Sequence, residues 1–174
     1  MFISNFRFYY RNMAERSIDI ALTQDEAGED LETVYENICT LKSEPGLCFN
    51  YAATSQLEDW KFLEGCFTCF LMDKKDVIIQ VVTTYQDKEG AASAYHADVD
   101  YLRKNDYGKP VPSRKLGEAS NLFKQKQSDG ITYNLLFLKS NVFTAISAKY
   151  KVEKPDNVDH IMGLAKKVEE KIQG

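Results

Sequence analysis

Between Gly117 and Ile172 the apolar positions first alternate and then change period. Ile131, Tyr133, Leu135 and Phe137 fall on every second residue, as do Val142, Thr144, Ile146 and Ala148. Successive side chains of a strand point to opposite faces, so each set lines one face of a strand. Ser128-Asp129-Gly130 and Lys139-Ser140-Asn141 are turn chemistry between them, and a further strand is predicted near 119–126. After Pro155-Asp156, the residues Val158, Ile161, Ala165, Val168 and Ile172 step by three and four, which predicts a helix with a narrow apolar stripe.

The same reading carries back along the chain. Cys66 to Met72 and Asp76 to Tyr85 are apolar, aromatic or β-branched runs, joined by the polar Asp73–Asp76 connection, and predict a hairpin. Asp87 is placed to cap a helix whose face is Ala91, Tyr95, Val99 and Leu102 and which runs to about Lys104. Asn105 to Pro112 carries Gly108, Pro110 and Pro112 and predicts a loop. Further upstream, Leu31, Val34, Tyr35, Ile38 and Leu41 have helical spacing, so a helix is expected over 29–41. Ile18 to Leu22 predicts a short strand, Thr23 to Asp30 a polar loop, and a strand is expected near 47–53 ahead of an irregular stretch with Trp60.

Short connections favour antiparallel pairing, because parallel neighbours need long crossovers. The expected class is therefore α+β, an antiparallel β-sheet with helices packed on one face. With 174 residues, the chain is expected to be a single domain: 1–17 an N-terminal extension and 60–172 its best-defined core. The extension carries Phe2, Phe6, Phe8, Tyr9 and Tyr10, and we expect it to add a strand or pack on a second subunit.

Certain stretches resemble a known group. Tyr85, Asp87, Gly90 and Ala91 at a helix start, Gly117-Glu118-Ala119-Ser120 at a strand start, and the hairpin Phe137 to Val142 before a closing helix are similar to a set of small uncharacterised bacterial and archaeal proteins. Over 60–172 the chain resembles the PsbP-like fold of photosystem accessory proteins and LpqN-type mycobacterial lipoproteins. The resemblance implies a PsbP-like sandwich and no catalytic residues. Many members of that group are exported or lipid-anchored. Ser140 stands where their hairpin has glycine, which gives this turn less freedom to take a positive φ.

Composition narrows the functions available. Hydrophobic residues are 44% and charged residues 28%, as in ordinary globular proteins. A net charge of −4 argues against a general nucleic-acid binder, which needs a basic surface for phosphates. No run approaches the roughly 20 apolar residues of a membrane span, so no transmembrane segment is expected. No signal segment is visible, so the expectation is a cytoplasmic protein, or an extracytoplasmic one if such a segment has been removed.

Candidate chemistry is sparse. Cys66 and Cys69 have the CxxC spacing of a redox dithiol or half a zinc site. In a strand, residues three apart point to opposite faces, so the two thiols should diverge and behave as small hydrophobes. Cys39 and Cys48 lack the spacing of a second CxxC. His96 has Asp100 one helical turn on, and His160 lies beside Asp156 and Asp159; neither set places a third metal ligand. Asp25, Glu26, Glu29, Asp30 and Glu32 form an acidic stretch without the regular ligand loop of a calcium site. We assign no catalytic, cofactor or metal residue.

Function lives in sites, and none is evident. The sequence therefore points to a non-enzymatic accessory or binding module for a protein partner or a small apolar ligand held between sheet and helices. The alternatives are a thiol-dependent enzyme or redox protein using Cys66 and Cys69, and a structural protein that self-associates through a sheet edge or the N-terminal aromatic segment.

Overall fold

In a computed structural model, which describes residues 16–49, 52–72 and 76–173, one antiparallel sheet organises the molecule. Its strands are β1 (Leu31–Cys39), β2 (Phe62–Met72), β3 (Asp76–Tyr85), β4 (Lys109–Val111), β5 (Ala119–Gln127), β6 (Gly130–Lys139) and β7 (Val142–Tyr150). Across the sheet their order is β1-β2-β3-β7-β6-β5-β4. The helices are α1 (Ser17–Ile20), α2 (Gln24–Ala27), α3 (Thr54–Asp59), α4 (Lys88–Lys104) and α5 (Asn157–Lys171). The α+β class and antiparallel sheet are as the sequence pattern predicts. The aromatic residues of the N-terminal extension lie outside the described residues.

The placement of the helices differs from expectation, because both faces of the sheet are covered. Ile131, Tyr133, Leu135 and Phe137 of β6 join a core with α1, α2 and α5, through Ile20, Ala27, Ile161, Leu164 and Val168. The intervening Leu136 and Leu138 join a second core with α3 and α4, through Leu57, Ala91, Tyr95 and Val99. Leu135-Leu136-Phe137-Leu138 is a continuous apolar run, the mark of a strand buried on both faces. The alternation of 131–137 describes only one of those faces.

Residues 29–41 hold strand β1 and not a helix. β1 pairs with β2 in a register that shifts between Thr33 and Tyr35, which is a bulge. A bulge adds one residue and reverses which side chains face the core. Leu31, before it, and Ile38, after it, therefore pack on the same core although they are an odd number apart. Two strand halves out of phase imitate the spacing of a helix, and the intervening Val34 and Tyr35 are 46% and 44% exposed.

Other upstream elements also differ. Ser17–Ile20 is a helical turn where a strand was expected. The polar stretch after it holds α2, closed by a capping box in which Thr23 accepts from the Glu26 N–H and Glu26 accepts from the Thr23 N–H. Where a strand was expected near 47–53, Pro45–Leu47 forms a 3-10 turn and α3 begins at Thr54, while residues 50 and 51 lie outside the described residues. The predicted 105–112 loop includes the short edge strand β4.

The residues of the resembling stretches hold the two halves of the sheet together. Asp87 caps α4 by accepting from the Gly90 N–H at 2.9 Å. A Cβ on Gly90 would lie 1.9 Å from the Trp60 carbonyl oxygen, so only glycine lets α4 start this close to the end of α3. The Tyr85 N–H donates to the Asn141 carbonyl at 3.0 Å, and the Asn141 side-chain amide donates back to the Tyr85 carbonyl at 2.7 Å. Glu118 accepts from the Ser140 N–H at 3.1 Å and pairs with Lys88 at 2.5 Å.

Gly90→Ala should lower stability by about 2–3 kcal/mol in chemical denaturation, because the clash is with backbone. Ser140 has φ 54° in the two-residue turn, a conformation that favours glycine. Ser140→Gly should therefore raise stability by about 1 kcal/mol, measured in the same way; an unchanged or lowered midpoint would refute that account of the turn.

Candidate functional site

Both sheet–helix layers are filled by side chains, so the candidate site is sought at the surface. A groove of about 960 Å³ runs between residues 112–116, which lead into β5, and the exposed side of α5. It exceeds two other surface grooves, of about 650 Å³ and 520 Å³. Its floor is apolar: Leu116 is buried, and Val158 and Met162 are half-buried at the margin of the core. Gly163 lines the groove without a side chain, and a Cβ there would meet nothing within 4 Å.

Charge is distributed unevenly around this floor. Arg114 and Lys115 stand exposed on one wall, and Lys166 on the other. Glu169 is committed within the wall, accepting from the Gly117 N–H at 2.6 Å and from Lys166 at 2.7 Å. Burial pushes its carboxyl up, but Lys166, the Gly117 N–H and Lys139 outweigh that and hold it below the usual carboxylate value. Asp159 completes the lining. The arrangement suits a ligand with a short apolar body and an anionic group, since an apolar floor with few placed charges is the usual chemistry of a small-molecule site.

The sequence candidates are scattered. Cys66 is fully buried on the α5 side of the sheet, its sulfur 3.6 Å from the Thr68 hydroxyl. Burial pushes its thiol up to about 11. Cys69, three residues on in the same strand, takes the other face, and partial burial raises its pKa as well. The expected divergence is found, and the sheet lies between the two sulfurs. His96 is exposed beside the ring of Tyr95. Among the described residues no group of three or more His, Cys, Asp or Glu is arranged to hold a metal. The acidic stretch is divided between the α2 capping box, where Glu26 meets Lys171 of α5, and the start of β1.

His160 lines the groove of about 650 Å³ with Asp30, Asp76 and Asp156. Its Nδ1 is 2.9 Å from the hydroxyl of buried Tyr150. With the imidazole proton on Nε2, Nδ1 accepts from that hydroxyl, so the pair serves as a tie between α5 and β7. Burial lowers the His160 pKa and also raises that of Tyr150.

Sequence reading missed the groove residues. Arg114-Lys115 beyond Pro112 was the available signal, but the partner wall comes from α5, some 45 residues away by numbering. It also missed the proximity of Cys39 and Cys48, which depends on strand register.

No protein-family profile matches the chain, and no curated protein matches it. Solved structures do. The extracellular domain of PknH from Mycobacterium tuberculosis superposes with a TM-score of 0.58 at 9% identity, covering 90% of this chain and 98% of that one. An uncharacterised Mycobacterium smegmatis protein, the Rv0999 ortholog, gives a TM-score of 0.41 at 10% identity over 90% and 97% of the two chains. The first likeness shows a shared α+β fold. Among the described residues no helix is long and apolar enough to cross a membrane.

The buried His160 gives a pH test. Its folded-state pKa lies below the unfolded value of about 6.5, so the unfolded chain takes up a proton first as pH falls. The contribution to stability is whole above that value and is lost as pH falls through the folded pKa, despite the opposing pull of Asp156 and Asp76. Denaturation at pH 7.5 and pH 5 should show a fall in stability that His160→Gln makes shallower; equal slopes in both proteins would refute the assignment.

Proposed function

We propose that the chain is a single α+β binding module whose working surface is the groove between residues 112–116 and α5, and that it takes an anionic amphiphile such as a medium-chain carboxylate. The observation that carries this reading is the gap at Gly163, an open place on an apolar floor with Arg114, Lys115 and Lys166 around it. The expectation of an apolar ligand is kept in the floor; its location moves from the sheet–helix layer to the surface. The PsbP-like and LpqN-type resemblance belongs to the same proposal, since it implies a fold without a catalytic set. The PknH domain is extracellular, and by that analogy we place this module outside the cytoplasm, against the cytoplasmic expectation.

Self-association is a second reading, favoured by β1. This edge strand has nine residues and exposes Val34 and Tyr35, with Leu63 exposed on the neighbouring strand. Gel filtration across a concentration series separates it from the binding reading.

Calorimetric titration with decanoate tests the groove. The unaltered chain should bind it, and Gly163→Leu, which fills the gap on an exposed helix position, should abolish binding without lowering the melting temperature. Arg114→Glu combined with Lys115→Glu should weaken binding about tenfold, and more at low salt. Binding that survives Gly163→Leu, or no binding by the unaltered chain, would sink the proposal.

A further inference from the structure

Cys39 and Cys48 are brought together by the sheet. Cys39 at the end of β1 lies directly opposite Gly65 of β2. Side chains of directly opposed residues project to the same face, with Cβ atoms about 4.5–5.5 Å apart. Gly65 leaves that position empty, and the sulfur of Cys48 fills it: a Cβ built on Gly65 would lie 2.5 Å from Cys48 Sγ and 3.5 Å from Cys48 Cβ. Cys48 therefore occupies the slot beside Cys39, on the same face of the sheet. Each thiol shifts the other's ionisation, Cys39 downward and Cys48 upward, as two sulfurs in close proximity do.

The other cysteines are excluded by geometry. Cys66 is next to Gly65 in the chain but packs on the opposite face of the sheet, in the core under α1 and α5. Cys69 shares the face of Gly65 but lies four residues along β2, about 13 Å away at the rise of a strand. Cys39 is fully buried and Cys48 is half-buried.

We infer that Cys39 and Cys48 form a reversible disulfide that fastens the 3-10 turn Pro45–Leu47 to the end of edge strand β1. The oxidant is a small disulfide. One cysteine of the pair, as thiolate, attacks one of the oxidant's sulfurs; that S–S bond breaks and one thiol leaves, giving a mixed disulfide on that cysteine. The other cysteine, as thiolate, then attacks the protein sulfur of that mixed disulfide and expels the second thiol. The protein loses two electrons and two protons, and the oxidant gains both as two thiols. The bond closes the loop that leads to Phe49, which is buried against Trp60, Phe62 and Phe143. Oxidation would thereby hold the corner of the core beneath α3.

The test uses the full chain, reduced and then incubated with oxidised glutathione, followed by peptide mapping without reductant and thiol titration. The expected result is one cross-linked pair, Cys39 with Cys48, with Cys66 and Cys69 still free, and a melting temperature raised by about 5 °C that returns on reduction. Cys48→Ser and, separately, Cys39→Ser should give no intramolecular cross-link. Four free thiols after a treatment that cross-links the urea-unfolded chain would overturn the inference. So would a cross-link through Cys66 or Cys69, or glutathione remaining on Cys39 or Cys48 as the final product.

Discussion

The sheet depends on the seam between β3 and β7, which is held at its end by the paired hydrogen bonds of Tyr85 and Asn141. On one side lie β1, β2 and β3, and on the other β7, β6, β5 and β4. Among the described residues, this seam alone pairs strands of the two sets, as the strand order requires. Tyr85 is fully buried, so its carbonyl needs a partner, and the Asn141 amide supplies it. The same turn positions Ser140 for Glu118, and Glu118 for Lys88 at the start of α4. Tyr85, Asp87, Gly90, Glu118 and Asn141, singled out by their local sequence pattern, thus meet at one joint. They have structural duties there, which explains why they carry no visible chemistry.

The sequence was most legible where one strand followed another with a short turn. The β2–β3 and β5–β6–β7 connections, the Asp87 cap and the α5 stripe could all be read from local pattern. The first 60 residues were less legible because their signals are local imitations. The bulge between Thr33 and Tyr35 made a strand look helical. The stretch from Ser17 to Ala27 is too short to show a period, and is set by its packing on α5, where Lys171 reaches the Ala21 carbonyl and Lys167 that of Glu26. The second helical layer was hidden by a rule of thumb, since alternation on β6 and β7 suggested one buried face. The contrary signal was the Leu135–Leu138 run.

The candidate site was less legible still, and for a different reason. The Arg114-Lys115 wall and the Gly163 gap mean little apart; only the docking of α5 makes them one groove. The cysteines show the same point in reverse. Cys66 and Cys69 are close in sequence but separated by the sheet, whereas Cys39 and Cys48 are joined by it. A surface groove is also compatible with the filled interior, because a ligand can come and go without opening either core.

The strand order also governs how the chain can reach its native state. Hairpins close over few residues and form fast, so β2–β3 and β5–β6–β7 are local assemblies. The seam between them pairs Thr84 with Val142 and Val77 with Lys149, across a long intervening chain that holds α4. Closing such a loop has an entropic cost before any contact at the seam offsets it, and non-local pairing of this kind slows folding. Until the seam closes, β3 and β7 are both open edges on half-built sheets. In the finished protein they lie at the centre, where no other chain can pair with them.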